Sequence, residues 1–172
     1  MISKTLNDEL NQQIEYEFFS SHLYLAMSAK FAGLDFMGAA RWMRTQAEEE
    51  RIHALMFVDF IVENGGEAKI TGFEDPIVEG NDLMSIYEQT LEHERFVTGR
   101  INFLMGMAND ERNYATVNFL NWFINEQVEE EANAESIIKS LKLIGKDGNG
   151  LYQLDKELGT RITVGADVAA KA

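Results

Sequence analysis

The sequence predicts an all-α fold: a four-helix bundle with one long crossover between the second and third helices, and a short fifth helix at the C-terminal end. Three observations lead there. Helix breakers are scarce within the long stretches: the only proline is Pro76, and nearly all of the 13 glycines stand at breaks or near the C-terminus. Strand-like alternation is absent. Two of the breaks, near 33 and 110, are short, whereas residues 65–81 form a long one.

The first helical stretch covers residues ~5–32 and ends near Gly33. The second starts after Asp35, a good N-cap residue, and runs to Asn64-Gly65-Gly66, a stop signal. GGEAKITGFEDPIVEGN at 65–81 reads as a loop. Asp82 caps a third helix reaching about Asn109, and a break at 109–112 leads to a fourth that ends near Gly145. LYQLDKEL supplies a short fifth helix at ~150–159. Short breaks make helices one and two antiparallel, and likewise three and four. The long loop can stretch to ~55 Å, more than the ~42 Å length of a 28-residue helix. It can therefore cross the whole bundle and make helices two and three parallel. One domain is expected over 1–160, with a loosely ordered tail at 161–172.

Composition narrows the function. Hydrophobic residues at 45% and charged residues at 26% describe an ordinary globular chain, which rules out disorder. A formal net charge of −14 argues against binding nucleic acid, which needs a basic face. A negative surface attracts cations instead. No run approaches the ~18 uncharged apolar residues of a membrane span, and MISKTLNDELNQQ lacks the layout of a secretory signal. A cytoplasmic protein without a membrane partner is expected. The absence of cysteine excludes disulfides, thiolate metal sites and Cys nucleophiles.

Writing an a/d seam on each helix exposes an anomaly. Helix one gives Leu10, Ile14, Glu17, Ser21, Tyr24, Ser28 and Phe31; helix two gives Ala39, Met43, Gln46, Glu50, His53, Phe57 and Phe60. Helix three gives Leu83, Tyr87, Thr90, Glu94, Val97, Ile101 and Leu104; helix four gives Leu120, Phe123, Gln127, Glu130, Ala134, Ile137 and Leu141. Each seam is mainly apolar, yet each carries an acid near its middle. The acids should therefore meet in one layer of the core.

A repeat independent of register supports this. A shift of 77 residues places Glu17 on Glu94, Glu50 on Gln127, His53 on Glu130 and Glu49 on Glu126. Each half carries a Glu and, 33 residues later, a pair at i, i+3. A two-fold arrangement of ligand-type residues is what a binuclear metal centre in a bundle requires. Uncompensated carboxylates in a core cost several kcal/mol each and repel one another. They must either take up protons or share cations. Oxygen ligands with a single imidazole suit iron or manganese better than a closed zinc site. Glu50 and His53 can share one metal, and Glu50 can bridge two. The second half lacks a His, so the two positions should bind unequally. Glu49, Glu126 and Glu129 lie beside the seam, where they either hold a third cation or form a solvated face. Glu48 and Glu131 read as solvated, His22 and His93 as surface histidines, and Trp122 as packing.

At these residues the chain resembles the non-haem bacterial ferritins. The likeness runs through Glu17 and Tyr24 in LNQQIEYEFFSSHLY, AEEERIH at 47–53, HE at 93–94, NEQVEEE at 125–131 and GNGLYQLDKEL at 148–158. It covers about residues 1–160. Members of that family form 24-subunit hollow shells that oxidise Fe(II) with dioxygen or hydrogen peroxide and store a ferric oxyhydroxide mineral. The resemblance implies Glu17, Glu50 and His53 as ligands of a first iron. It implies Glu50, Glu94 and Glu130 as ligands of a second, with Gln127 close by. Glu49, Glu126, Glu129 and Glu130 match a third iron site, Tyr24 matches an electron-donating tyrosine, and the short fifth helix would line the four-fold axis. Arg51 stands where bacterioferritins place a haem-ligating Met, which implies no haem. The expected function is ferroxidase activity with iron storage. The alternatives are a diiron oxidase or peroxide-scavenging protein without a storage role, and a bundle used only for interaction.

Overall fold

The structure, a computed structural model, describes residues 2–162. Five helices follow one another: α1 (Lys4–Gly33), α2 (Met37–Glu63), α3 (Leu83–Asp110), α4 (Tyr114–Ile144) and α5 (Gly148–Leu158). Among the described residues there is no strand. No helix there is long and apolar enough to cross a membrane. The tail expected from 161 onward begins with two described residues, Arg161 and Ile162; residues 163–172 lie outside the described part.

Four helices start on side-chain caps. Ser3 Oγ accepts from Leu6 N, an Asp82 carboxylate oxygen from Ser85 N, Asn113 Oδ1 from Thr116 N and Asp147 from Gly150 N. Each satisfies one of the amides that a helix start leaves open. The second helix departs from expectation. Asp35 does not cap it: this residue sits at φ 64° inside the turn, and the N-cap position is Phe36, which has no capping side chain. The cap comes from α5, where the Asp155 carboxylate accepts from Gly38 N at 3.0 Å and Ala39 N at 2.9 Å. The fifth helix is thereby docked on its own bundle, with Leu154 and Leu158 buried against it.

The long connection climbs the outside of α1. Asn7 and Asn11 exchange hydrogen bonds with the backbone of Glu67 and Lys69, Thr71 donates to Glu15, and Phe73 packs edge-on against Phe19 and His22. These α1 positions are spaced by three or four residues, so they form one stripe. The connection ends where Gln89 accepts from Glu79 N and donates to Ile77 O. Phe31, at the end of α1, meets Tyr87, near the start of α3. The second and third helices thus run parallel, as the loop length requires.

The core is divided. One apolar cluster gathers Tyr24, Met27, Phe31, Met43, Ile86 and Tyr87; the other gathers Leu10, Ile14, Phe57, Ile61, Ile101 and Phe123. Between them, on all four long helices, lie the buried polar residues Glu17, Glu50, His53, Glu94, Gln127 and Glu130. Every seam position predicted above is buried except Phe60. That ring is half-buried and stacks on Phe119, while Ile61 takes the core position. A strict 3.5-residue spacing drifts against the 3.6-residue helix, and by the last turn of α2 the error reaches one residue.

Candidate metal centre

Glu17 reaches the mid-bundle layer from α1, and Glu50 and His53 reach it from successive turns of α2. One ligand atom from each lies within 4.8 Å of the other two, and all three residues are buried. His53 Nδ1 stands 3.3 Å from a Glu50 oxygen. Gln13 Nε2 donates to Glu17 at 2.9 Å, and Gln46 Nε2 donates to Glu50 at 3.2 Å. Trp122 packs edge-on against the His53 ring, as does Phe123, so both fix its plane.

Glu94 and Glu130 approach from α3 and α4. Tyr24 donates its hydroxyl to Glu94 Oε1, and Gln127 Nε2 donates to Glu94 Oε2 at 3.0 Å. Gln127 is thus turned toward Glu94 and its backbone carbonyl, with Thr98 Oγ1 at 3.4 Å. The structure brings Glu17, Glu50, His53, Glu94, Gln127, Glu130 and Tyr24 into one layer.

Burial and neighbouring charge shift the acids of this layer. Burial, with the Glu50 charge second, holds Glu17 and Glu94 well above the carboxylate range. The same two causes push Glu130 to about 7. Burial also opposes charge on Glu50, but His53 and hydrogen bonds from His53, Glu17 and Gln46 outweigh it and lower this one carboxyl. Burial opposes charge on His53 too; the Glu50 carboxylate beside it prevails and raises the imidazole to about 10. Burial and the Glu94 charge keep the Tyr24 phenol neutral. The layer therefore holds protons wherever it lacks other positive charge, which is the behaviour of a cation site made of carboxylates. One imidazole with four carboxylates suits iron or manganese.

The remaining predicted acids lie beside the layer, around a cavity of about 220 Å³ that His53, Glu130 and Trp122 also line. Glu49 is buried, Glu126 half-buried and Glu129 exposed. Burial raises Glu126, helped by Glu129 and Glu49 and opposed by His53. Glu48 faces outward to Arg51, whereas Glu131, expected to be solvated, is half-buried, pairs with Arg95 and accepts from Thr98 Oγ1 at 2.6 Å.

Two residues depart from expectation or escape it. His93 is not a surface histidine: it is half-buried, bonded to Ser20 Oγ at 2.7 Å and set edge-on to Tyr24, and burial lowers its pKa. Arg161 enters the cavity from beyond α5, donating to Glu49 at 2.5 Å and Gln46 at 2.6 Å. No spacing rule couples it to residues 112 and 115 positions away.

Residues 7–144 match the family described as Ferritin-like domain, which takes in nearly all of α1, the whole of α2, α3 and α4, and every acid of the layer. The chain belongs to the ferritin family. It is 41% identical over 161 residues to the bacterial non-heme ferritin of Staphylococcus saprophyticus, covering 94% of this chain and 96% of that one. It is 39% identical over 160 residues to the bacterial non-heme ferritin of Escherichia coli O6:H1, covering 93% and 97%. Among solved structures, the open pore ferritin of the hyperthermophilic archaeon Archaeoglobus fulgidus superposes with a TM-score of 0.92 at 43% identity. That match spans 94% of this chain and 98% of the other. The ferritin family fold accounts for the bundle, the crossover and the short C-terminal helix together.

Proposed function

We propose that this chain is an iron-storage protein with ferroxidase activity, in which the mid-bundle layer takes up ferrous ions as substrate and the assembled shell stores the ferric product. One observation carries the reading: Glu17, Glu50 and His53, all buried, present three ligand atoms within 4.8 Å of one another. Family membership and the named ferritins among its relatives support it. They do not favour a diiron oxidase or peroxide-scavenging protein without a storage role.

In this reading Glu17, Glu50 and His53 hold a first iron. Glu50 bridges to a second, held also by Glu94 and Glu130 with Gln127 beside it. Charge drives binding, because each ferrous ion replaces protons that the buried acids otherwise retain. Gln13 and Gln46 orient Glu17 and Glu50, while Tyr24 and Gln127 orient Glu94. Such supporting contacts matter about as much as the ligands they hold. Two ferrous ions give up one electron each, which together with two protons reduces dioxygen to hydrogen peroxide, or hydrogen peroxide to water; Tyr24, whose hydroxyl is donated to Glu94, is placed beside them as an electron donor. Product then moves past Glu49, Glu126, Glu129 and Glu130, a third cation position. Assembly as a 24-subunit homo-oligomer completes the proposal.

An anaerobic ferrous titration followed by exposure to air tests it. The reading expects two tight equivalents per chain and a transient diferric absorbance; fewer than one bound ion per chain would sink it.

A further inference from the structure

The C-terminal segment delivers a cation to the acids beside the dinuclear layer. The Arg161 guanidinium lies 4.2 Å over the Trp42 ring, donates through Nη1 to Gln46 and pairs through Nη2 with Glu49 at 2.5 Å. Trp42, Gln46 and Glu49 stand at i, i+4 and i+7, a single stripe of α2. The side chains of Arg161 and Glu49 are only 19% and 10% exposed. The pair is therefore largely withdrawn from water, where a guanidinium is the cation of choice and screening is weak. Its position is fixed from behind: Asp155 docks α5 on the first amides of α2, and Arg161 follows α5 directly.

We propose that Arg161 is a tethered cation that occupies the third acidic position in competition with a metal ion, so that a third ion enters only when Arg161 releases Glu49. The inference rests on the reading of Glu49, Glu126, Glu129 and Glu130 as a cation position. Arg161 takes one of the two Glu49 oxygens, and a guanidinium and a divalent ion held on the same carboxylate repel one another. Whatever Arg161 contributes to holding Glu49 is subtracted from the affinity for a third ion, and the effect is reciprocal. The contact also reaches the dinuclear layer. Arg161 can only donate, so it holds Gln46 by its oxygen and turns the amide nitrogen toward Glu50. Displacing Arg161 frees Gln46 to turn, so filling the third position loosens a residue that orients the bridging carboxylate.

Calorimetry and metal analysis with Zn(II), a redox-inert probe, test the competition on the intact assembled protein. Wild type should bind two ions tightly and a third weakly. Arg161→Ala should bind the third about tenfold tighter, and Arg161→Gln, which removes the charge from a shorter side chain but keeps an amide donor, should do the same. Adding Glu49→Gln to Arg161→Ala should abolish the gain. A third ion bound equally tightly by wild type and both single variants overturns the role of Arg161 and leaves the acidic position standing. No third ion in any of them overturns both. Particle size and helical content, unchanged in the Arg161 variants, show that the comparison is made on folded shells.

Discussion

Asp155 and Gly38, 117 residues apart, are joined by a carboxylate-to-amide hydrogen bond of 3.0 Å that closes the open start of α2 with a residue from α5. The same carboxylate accepts from Ala39 N. There is no room for anything but glycine at 38: a Cβ there would stand 1.6 Å from the Asp155 carbonyl oxygen. The start of a long helix is thus capped by a residue of the short one.

Asp155→Ala should lower stability by roughly 1–2 kcal/mol, the usual loss for a missing N-cap. Gly38→Ala should cost at least as much, because α5 must move away. Thermal melting of both variants checks this. Amide exchange should show the loss concentrated in α5 and the first turn of α2, and a uniform change along the chain would contradict the cap.

Glu50→Ala and His53→Ala should each slow initial ferrous oxidation by tenfold or more while the helical content and particle size stay the same. Stopped-flow absorbance after mixing with aerated buffer provides the measurement. Glu48→Ala, on the exposed face, is the control expected to leave the rate within a factor of two.

Metal-free protein should lose stability as pH rises. Glu130 has its carboxyl raised from 4.5 to about 7 in the folded state. Such a group stabilises the fold fully below its unfolded value and loses that contribution as pH climbs through the folded one. His53, raised from 6.5 to about 10, extends the decline toward alkaline pH. Divalent cations replace the lost protons, so the gap in melting temperature between Zn(II)-loaded and metal-free protein should widen with pH. A gap that narrows over the same range contradicts the electrostatics.

Glu17→Gln should separate stability from function. The amide keeps the shape and can still donate toward Glu50, but it carries no charge in the dry layer. At alkaline pH the metal-free variant should melt above wild type by a few degrees, as about 1 kcal/mol would produce in a chain of this size. Zn(II) should then raise its melting temperature less than that of wild type.

These outcomes bear on what the sequence made legible. The layer was readable because each of its acids interrupts an apolar 3.5-residue seam, and because the 77-residue repeat ties Glu17 to Glu94 without any choice of register. The crossover followed from counting residues 65–81 against helix length. The contacts from the C-terminal end were not readable. Asp155 on Gly38 and Arg161 on Glu49 join positions more than a hundred residues apart, and neither leaves a local pattern. Asp35 has the residue type of a cap for α2, but its φ of 64° places it in the turn before Phe36. His93 looked solvent-facing because the residue next to the inward Glu94 should point elsewhere, but the rings of Phe19, Tyr24 and Phe96 close over it.

Tyr24→Phe removes the hydroxyl donated to Glu94 and leaves the ring. The second ion, held on the Glu94 side, should bind about tenfold more weakly, and the first, held by Glu17 and His53, should be almost unaffected. Stepwise Zn(II) calorimetry resolves the two. Equal weakening of both steps would contradict the assignment of Tyr24 to one side of the layer.

In the proposed function, side chains from four helices converge on ferrous ions inside the bundle. Anaerobic crystals soaked in ferrous salt, with diffraction recorded at the iron absorption edge, test it most directly. Two anomalous peaks are expected within coordination distance of Glu50, one shared with Glu17 and His53 and one with Glu94 and Glu130. Crystals that take up iron only at surface acids, with no peak among these five residues, would contradict it.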